Sequence, residues 1–570
     1  MNIFLIIISI ILFYCSVNSL KSNNNINFQY VGISSLYILY FFILGMLNLF
    51  ITSVNNYFIF ICFLLSLISI ILLGLKKIID KDKLKIYLIK IIKLISISFL
   101  ILLVFYLNKS YYNLILNWDD FSYWMRIYKI YSLNGLNLEI ISNLTIWQGY
   151  VTKLTLGYPA IHSFVASILF PYPIYDPFIV YCLLTLFLSF ILFDFFIFLN
   201  ISSEHRPIVL LIILIVFSAS TPLNHNHQVD ILLPLIIILG IIQSKNCNYK
   251  LNIILSIIIF SFAIFLKPPT ALALLFIYFI YLVLKKKINL INLIILIIPV
   301  LFFVIYILHY STFINLEYKP SPQFNNIIVL FTNIQSNFVN IFYAEFLYPL
   351  INLSPSKSLA NLMGIIVISI YFYKNKNFSS FIFVLTSFLV YILYLSISYS
   401  TFVLDSTNRF ASFDRYFFTF YIFILFYYLI DFFSKKQLNN YLYFIYLLFF
   451  NICYFFPKLL FILPVYIIVL KFGILIISKK IKLFNYLILI IFFISLFFIK
   501  NKLYPPEYMV LNGNFLINLS NLKTNNKIII IDVCNPTGYD YLAIDYYFDF
   551  YKNYTINSKE CNDLEKYSLN

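Results

Sequence analysis

The chain has 570 residues, of which 62% are hydrophobic and only 11% charged, with a mean hydropathy of +0.93. No soluble fold hides that much apolar surface from water, so the composition excludes a water-soluble globular protein and makes lipid the solvent. The net charge of +17 does not argue for nucleic acid, because the lysines stand in short clusters between apolar runs, where they set topology.

In chain order, apolar runs fall at about 2–18, 31–52, 57–75, 86–107, 177–200, 207–220, 229–243, 251–266, 269–284, 288–308, 358–373, 379–399, 416–433, 440–456, 459–478 and 484–499. That is about sixteen spans, several short for a bilayer. The expected fold is an all-α polytopic membrane protein. Basic clusters test the spacing: Lys76/Lys77/Lys81/Lys83/Lys85, Lys245/Lys250, Lys285/Lys286/Lys287, Lys374/Lys376, Lys435/Lys436 and Lys479/Lys480/Lys482. With strict alternation all of them land on one side, which the positive-inside rule makes the cytoplasm. Residues 3–17 are apolar but no basic segment precedes them, so they read as a span rather than a cleavable signal.

The opposite face receives the mixed polar chemistry. Loop 108–176 is long and aromatic, which predicts interfacial helices, and Gly157-Tyr158-Pro159-Ala160-Ile161-His162 breaks the chain within it. Three domains follow from this pass: N-terminal spans over 1–85, a transmembrane core over 86–500, and a tail over 501–570. In the tail, Lys527–Val533 reads as a buried strand and Asn535-Pro536-Thr537-Gly538 as a turn. A small extracytoplasmic α/β appendage is expected there. Of the seven cysteines, Cys534 and Cys561 fall in this tail on the oxidising side, where they are candidates to pair; none of the seven has metal-ligand spacing.

Ionisable residues near membrane depth are costly and usually functional. The stretch Asn117-Trp118-Asp119-Asp120-Phe121-Ser122-Tyr123-Trp124-Met125-Arg126 places two carboxylates just after an apolar run. Asp119 and Asp120 suit a general base or a divalent-cation ligand, and equally the positive end of a helix capped by Asn117. Asp230 opens a span just after His225 and His227; two histidines at i and i+2 do not share a helix face, so hydrogen bonding at a helix start is favoured over zinc. Lys267 precedes two prolines on the side otherwise poor in lysine, which favours an anion ligand over snorkelling. Arg409 and Arg415 lie between Asp405 and Tyr416, also on that side. Arginine binds phosphate in a bidentate manner, whereas an Asp414–Arg415 surface pair would be the plain alternative.

This ordered set resembles the GT-C glycosyltransferases, and is most similar to their ArnT and protein mannosyltransferase branch. The resemblance covers about residues 86–500 and rests on the early acidic pair, the Tyr158-Pro159 break, Asp230 opening a span, Lys267 and the late Arg415-Tyr416. Phe417-Phe418-Thr419 follows where a proline often stands in the family. The resemblance implies inverting transfer of a sugar from a polyprenyl-phosphate donor to a glycan, lipid or protein acceptor at the outer face of the cell membrane. It implies Asp119 or Asp120 as base, with no certain cofactor beyond the divalent cation those residues would alternatively hold. Lys267, Arg409 and Arg415 would then clamp the phosphate, and Trp118, Tyr123, Tyr158, His162, Asp230 and Tyr416 would line the substrate site. A polysaccharide polymerase or ligase, or a lipid-linked oligosaccharide flippase, are the other classes such a chain allows.

Overall fold

The computed structural model describes residues 2–19, 31–50, 64–68, 80–92, 177–198, 232–244, 250–311, 327–352, 354, 356–402 and 413–435, single positions from 443 to 453, and three tail segments, 529–534, 554–559 and 567–569. Among the described residues up to 435, long helices are the main content. They are α1 (Asn2–Asn18), α2 (Ile33–Phe50), α3 (Pro177–Phe198), α4 (Leu232–Ser244), α5 (Lys250–Leu266), α6 (Pro268–Leu284) and α7 (Leu290–Ser311). After them come α8 (Ile327–Ile341), a π-helical turn (Phe342–Leu347), α9 (Tyr348–Ile351), α10 (Lys357–Lys374), α11 (Phe378–Phe402) and α12 (Phe413–Lys435). Within a bilayer every backbone group must be satisfied inside its own segment, which is why uninterrupted apolar runs become helices.

The helix ends are written by local residues. Lys267 before Pro268 is extended (φ −154°, ψ 86°), as a residue preceding proline prefers, so α5 stops and α6 begins afresh. Two lysine turns close α6 and α10 in the same way. Lys286 and Lys376 take positive φ of 52° and 54°. The N–H groups of Lys286 and Lys287 return to the carbonyls of Val283 and Leu282, and those of Lys376 and Asn377 to Tyr373 and Phe372. This is the left-handed helix stop usually given to glycine.

Among the described residues three helices are long and apolar enough to cross a membrane: Leu290–Leu308, Phe378–Ser400 and Phe413–Phe432. Shorter apolar helices accompany them, among them Leu251–Leu266 and Pro268–Leu284. Helix α12 forms the centre of the core: Phe417, Phe420, Tyr421, Ile424, Leu425 and Tyr428 are all buried. Gly364 of α10 lets that helix approach closely, since a Cβ there would lie 2.5 Å from the Tyr421 ring. Helix α7 is the opposite case, with Leu290, Ile297, Leu301, Ile305 and Leu308 exposed along its length. An apolar face of that extent suits lipid rather than water. The N-terminal helix α1 belongs to the same core through Ile10 and Tyr14, and Tyr14 packs edge-on against Tyr87 at 5.7 Å.

Polar contacts tie several helix ends together at the lysine-rich end. Lys285 Nζ donates to Asn377 Oδ1 (3.2 Å), Ser379 Oγ (2.7 Å) and Ser380 Oγ (3.0 Å). Asp431, near the end of α12, accepts from Tyr371 (3.2 Å) and Asn377 (3.4 Å). At the same end Gln243 donates to Ser35 (3.1 Å), and buried Asp194 of α3 accepts the N–H groups of Ile33 (3.0 Å) and Ser34 (2.7 Å) at the start of α2.

The tail contributes a three-stranded sheet of order β2-β1-β3. Strand β1 (Ile529–Cys534) is parallel to β2 (Tyr554–Lys559) and antiparallel to β3 (Tyr567–Leu569). The helical half of the expected α/β appendage lies outside the described residues, as do Cys561, the interfacial helices expected in 108–176, and the spans expected at 207–220, 459–478 and 484–499.

Candidate functional site

At the end of the bundle opposite the lysine turns, three helix starts meet the side of α11. The start of α6 is tied there by a hydrogen bond between Thr270 Oγ1 and Tyr394 OH (3.1 Å). The start of α12 is tied by Tyr391, whose hydroxyl donates to the carbonyl of Tyr416 (3.0 Å) and whose ring stacks on Phe420 at 4.8 Å. Helix α11 runs on from Tyr391 to Phe402, eleven residues or about 16 Å past this level.

Lys267 is only 5% exposed, so its ammonium does not reach for solvent. Its Nζ stands 4.7 Å from the centre of the Tyr416 ring. The guanidinium of Arg415 approaches the same ring at 4.9 Å and donates from Nη2 to the Tyr416 hydroxyl at 3.1 Å. Two cations thus share one aromatic ring, each such contact being worth about 0.5–2 kcal/mol. Arg415 and Tyr416 are half-buried, so two like charges gathered at a partly covered site favour an anion beside them, and the N-termini of α6 and α12 add the positive ends of two helix dipoles.

The third helix start, that of α10, brings a carboxylate pair. Ser356 caps it, its hydroxyl accepting from the Leu359 N–H at 3.0 Å. Two residues on, the buried hydroxyl of Ser358 lies 2.9 Å from Glu345 Oε2 and also bonds to Asp414 Oδ1. Glu345 is delivered by the π-helical turn, a wide turn of the kind often found at functional sites. That turn is set by α8, which descends along α11: Asn337 donates to Ser400 (2.9 Å), and farther down Phe346 meets Phe388 (5.9 Å) and Phe417 (5.2 Å). Burial raises the Glu345 carboxyl above the ordinary range; the Ser358 bond works against this, and the nearby Asp414 adds to it. Tyr399 of α11 lies within electrostatic reach of Tyr416, Glu345, Arg415 and Asp414, which joins the acidic and basic halves into one cluster.

Of the residues singled out from the sequence, Lys267, Arg415 and Tyr416 are brought together here. Trp118, Asp119, Asp120, Tyr123, Tyr158, His162, Asp230 and Arg409 lie outside the described residues, as do His225 and His227. Among the described residues no group of three or more histidine, cysteine, aspartate or glutamate side chains could hold a metal ion. Glu345, Ser358 and Tyr399 join the site without having been singled out from the sequence. Glu345 is the acidic residue of Phe342-Tyr343-Ala344-Glu345-Phe346-Leu347, and a lone carboxylate amid aromatics in an outer loop is the signal that points to it.

The fold and site define an apolar helical bundle, compatible with a bilayer, that holds a partly buried cluster of two cations and two carboxylates at one end. No family model matches the chain, and no curated protein or solved structure shows significant similarity to it.

Proposed function

We propose that the protein is an integral-membrane glycosyltransferase of the GT-C type that moves a sugar from a polyprenyl-phosphate donor to an acceptor outside the cytoplasm. The observation that carries the reading is Lys267 and Arg415 on the Tyr416 ring. A buried lysine and a half-buried arginine beside helix N-termini, on the side poor in lysine, suit a lipid-linked phosphate. The reading includes about sixteen spans, a cytoplasmic lysine-rich face and an α/β tail outside.

In the reaction the acceptor hydroxyl attacks the anomeric carbon while the bond to the phosphate oxygen breaks. The electron pair leaves on the lipid phosphate, whose growing charge Lys267 and Arg415 stabilise, with Arg409 as a further ligand. The hydroxyl proton passes to Asp119 or Asp120, the early acidic pair. Purified protein in nanodiscs, supplied with a panel of polyprenyl-phosphate sugars and candidate acceptors, should release polyprenyl phosphate with one donor. Lys267→Met and Arg415→Met should lower that release at least tenfold. Unchanged turnover in both variants would remove the phosphate clamp.

A further inference from the structure

At the end of the bundle opposite the cation cluster, two lysine turns are held side by side. Lys285, at the close of α6, donates from Nζ to Asn377, Ser379 and Ser380, where α10 gives way to α11. Its side chain works as a clasp between the turns. The lysines that follow point to another use. Lys286, Lys287, Lys374 and Lys376 are exposed, and among the described residues no hydrogen bond or ion pair ties down any of their four side chains. Residues 285–289 and 374–378 contain no carboxylate, and Asp431 is engaged by Tyr371 and Asn377.

The backbone adds a second observation. Lys286 and Lys376 are the positive-φ residues other than glycine among those described, at 52° and 54°. Glycine or asparagine takes that conformation at lower cost, and a residue kept in a sparsely populated region points to a use for its side chain. A lysine that only marks the cytoplasmic side could stand anywhere in its loop. The surroundings are apolar. Tyr373 and Phe378, each more than half exposed, meet edge-on at 5.8 Å beside Lys374 and Lys376. Val283, Ile288 and Leu290 are exposed on either side of the other turn. Cations bordered by exposed aromatic and aliphatic side chains match the boundary of a bilayer, where phosphates lie over acyl chains. A soluble polyanion would leave that apolar rim in water.

We infer that the paired turns form a binding site for an anionic phospholipid of the surrounding bilayer. Lys286, Lys287, Lys374 and Lys376 take the headgroup phosphate, and Tyr373 and Phe378 meet the acyl chains below it. The inference stands on this end of the bundle alone and is independent of the sugar transfer proposed for the other.

The test titrates the full chain, in a neutral detergent, with phosphatidylglycerol or with zwitterionic phosphatidylcholine and counts retained lipid by native mass spectrometry. Phosphatidylglycerol should bind about tenfold more tightly or better. Lys286→Asn combined with Lys376→Asn removes two charges yet keeps the left-handed turns, because asparagine accepts that backbone. This pair should lose most of the preference, whereas Lys286→Arg with Lys376→Arg should retain it. Lys81→Gln with Lys85→Gln, which removes two exposed lysines outside the turns, should retain it as well. Should the asparagine pair fail to fold, Lys287→Gln with Lys374→Gln carries the test and should show the same loss. Equal affinity for the two lipids in the unmodified protein overturns the inference, as does a folded turn variant that keeps the preference. An equal loss in the Lys81 and Lys85 pair also overturns it, since charge anywhere on that surface would then suffice. Displacement of the lipid by inorganic phosphate at the same concentration would mark a free-anion site and overturn the lipid assignment.

Discussion

Lys267 and Tyr416 meet across 149 positions of sequence, the ammonium 4.7 Å above the ring centre. The same ring carries Arg415, whose Nη2 also bonds to the Tyr416 hydroxyl at 3.1 Å. Tyr416 is therefore the piece that keeps two cations near one point. Tyr416→Phe keeps the ring and loses one hydrogen bond, a cost of about 1 kcal/mol and a severalfold loss of lipid-phosphate affinity. Tyr416→Leu loses the ring as well, and the loss should reach tenfold or more. Equal affinities for the two variants would show that the ring does not position the cations.

The lysine-rich end depends on a different long-range pair. Asp194 accepts the N–H groups of Ile33 and Ser34 and the Ser34 hydroxyl, so a carboxylate on α3 caps α2 from within the core. Gly32 is required beside it, because a Cβ there would lie 2.5 Å from Asp194 Oδ2. Asp194→Ala strands three donors at a buried helix start and should cost about 3 kcal/mol, read as a lower thermal midpoint in detergent. Gly32→Ala should act in the same direction through the clash. If Asp194→Ala melted with the unmodified protein, the cap would contribute nothing to the packing of α2.

Glu345 makes a pH prediction with a definite sign. Its carboxyl is raised in the folded state by burial and by Asp414, against the Ser358 bond, so the folded chain binds the proton more tightly than the unfolded chain. The stability tied to that proton is full below the unfolded pKa and is lost as pH rises through the folded one. Glu345→Gln should remove this loss and be relatively more stable than the parent at high pH. Unfolding midpoints measured across that interval should diverge on the alkaline side. Parallel curves would show that the carboxyl is not perturbed.

Features that depend on a few neighbouring residues are legible in the sequence. The spans are runs of apolar residues, and the turns at Lys285–Lys287 and Lys374–Lys376 are punctuation that works over a few positions. Lys267 stands out because a cation on the lysine-poor side is a local anomaly. Contacts made across the bundle are not legible in this way. Residues 309–357 read as a loop, yet α8 and the π-helical turn within it descend along α11 and bring Glu345 to Ser358. Asp414 reads as a candidate surface partner of Arg415, its neighbour in sequence, whereas its carboxylate bonds to Ser358, 56 positions earlier. A mixed-polarity helix beside a membrane span gives no strict apolar period, so neither contact has a sequence signature.

The last prediction concerns the early carboxylates. If Asp119 or Asp120 is the general base, Asp→Asn keeps size and hydrogen bonding but cannot take a proton. Base catalysis contributes about a hundredfold to ten-thousandfold, so transfer by that variant should nearly stop while expression stays normal. A pair that only favours a helix start would lose roughly 0.3–1 kcal/mol of stability and remain active. Asp119 is the favoured member, since at helical spacing it shares a side with Tyr123 and Arg126, whereas Asp120 lines up with Trp124. The measurement must be paired with lipid-phosphate binding, which the proposed function assigns to Lys267, Arg415 and Tyr416 and not to the base. Asn variants that bind the lipid phosphate normally but do not transfer would assign the carboxylates to proton removal. Near-normal transfer by both single variants would exclude the pair as the base and leave Glu345 and Asp414 as the described carboxylates nearest the cation cluster.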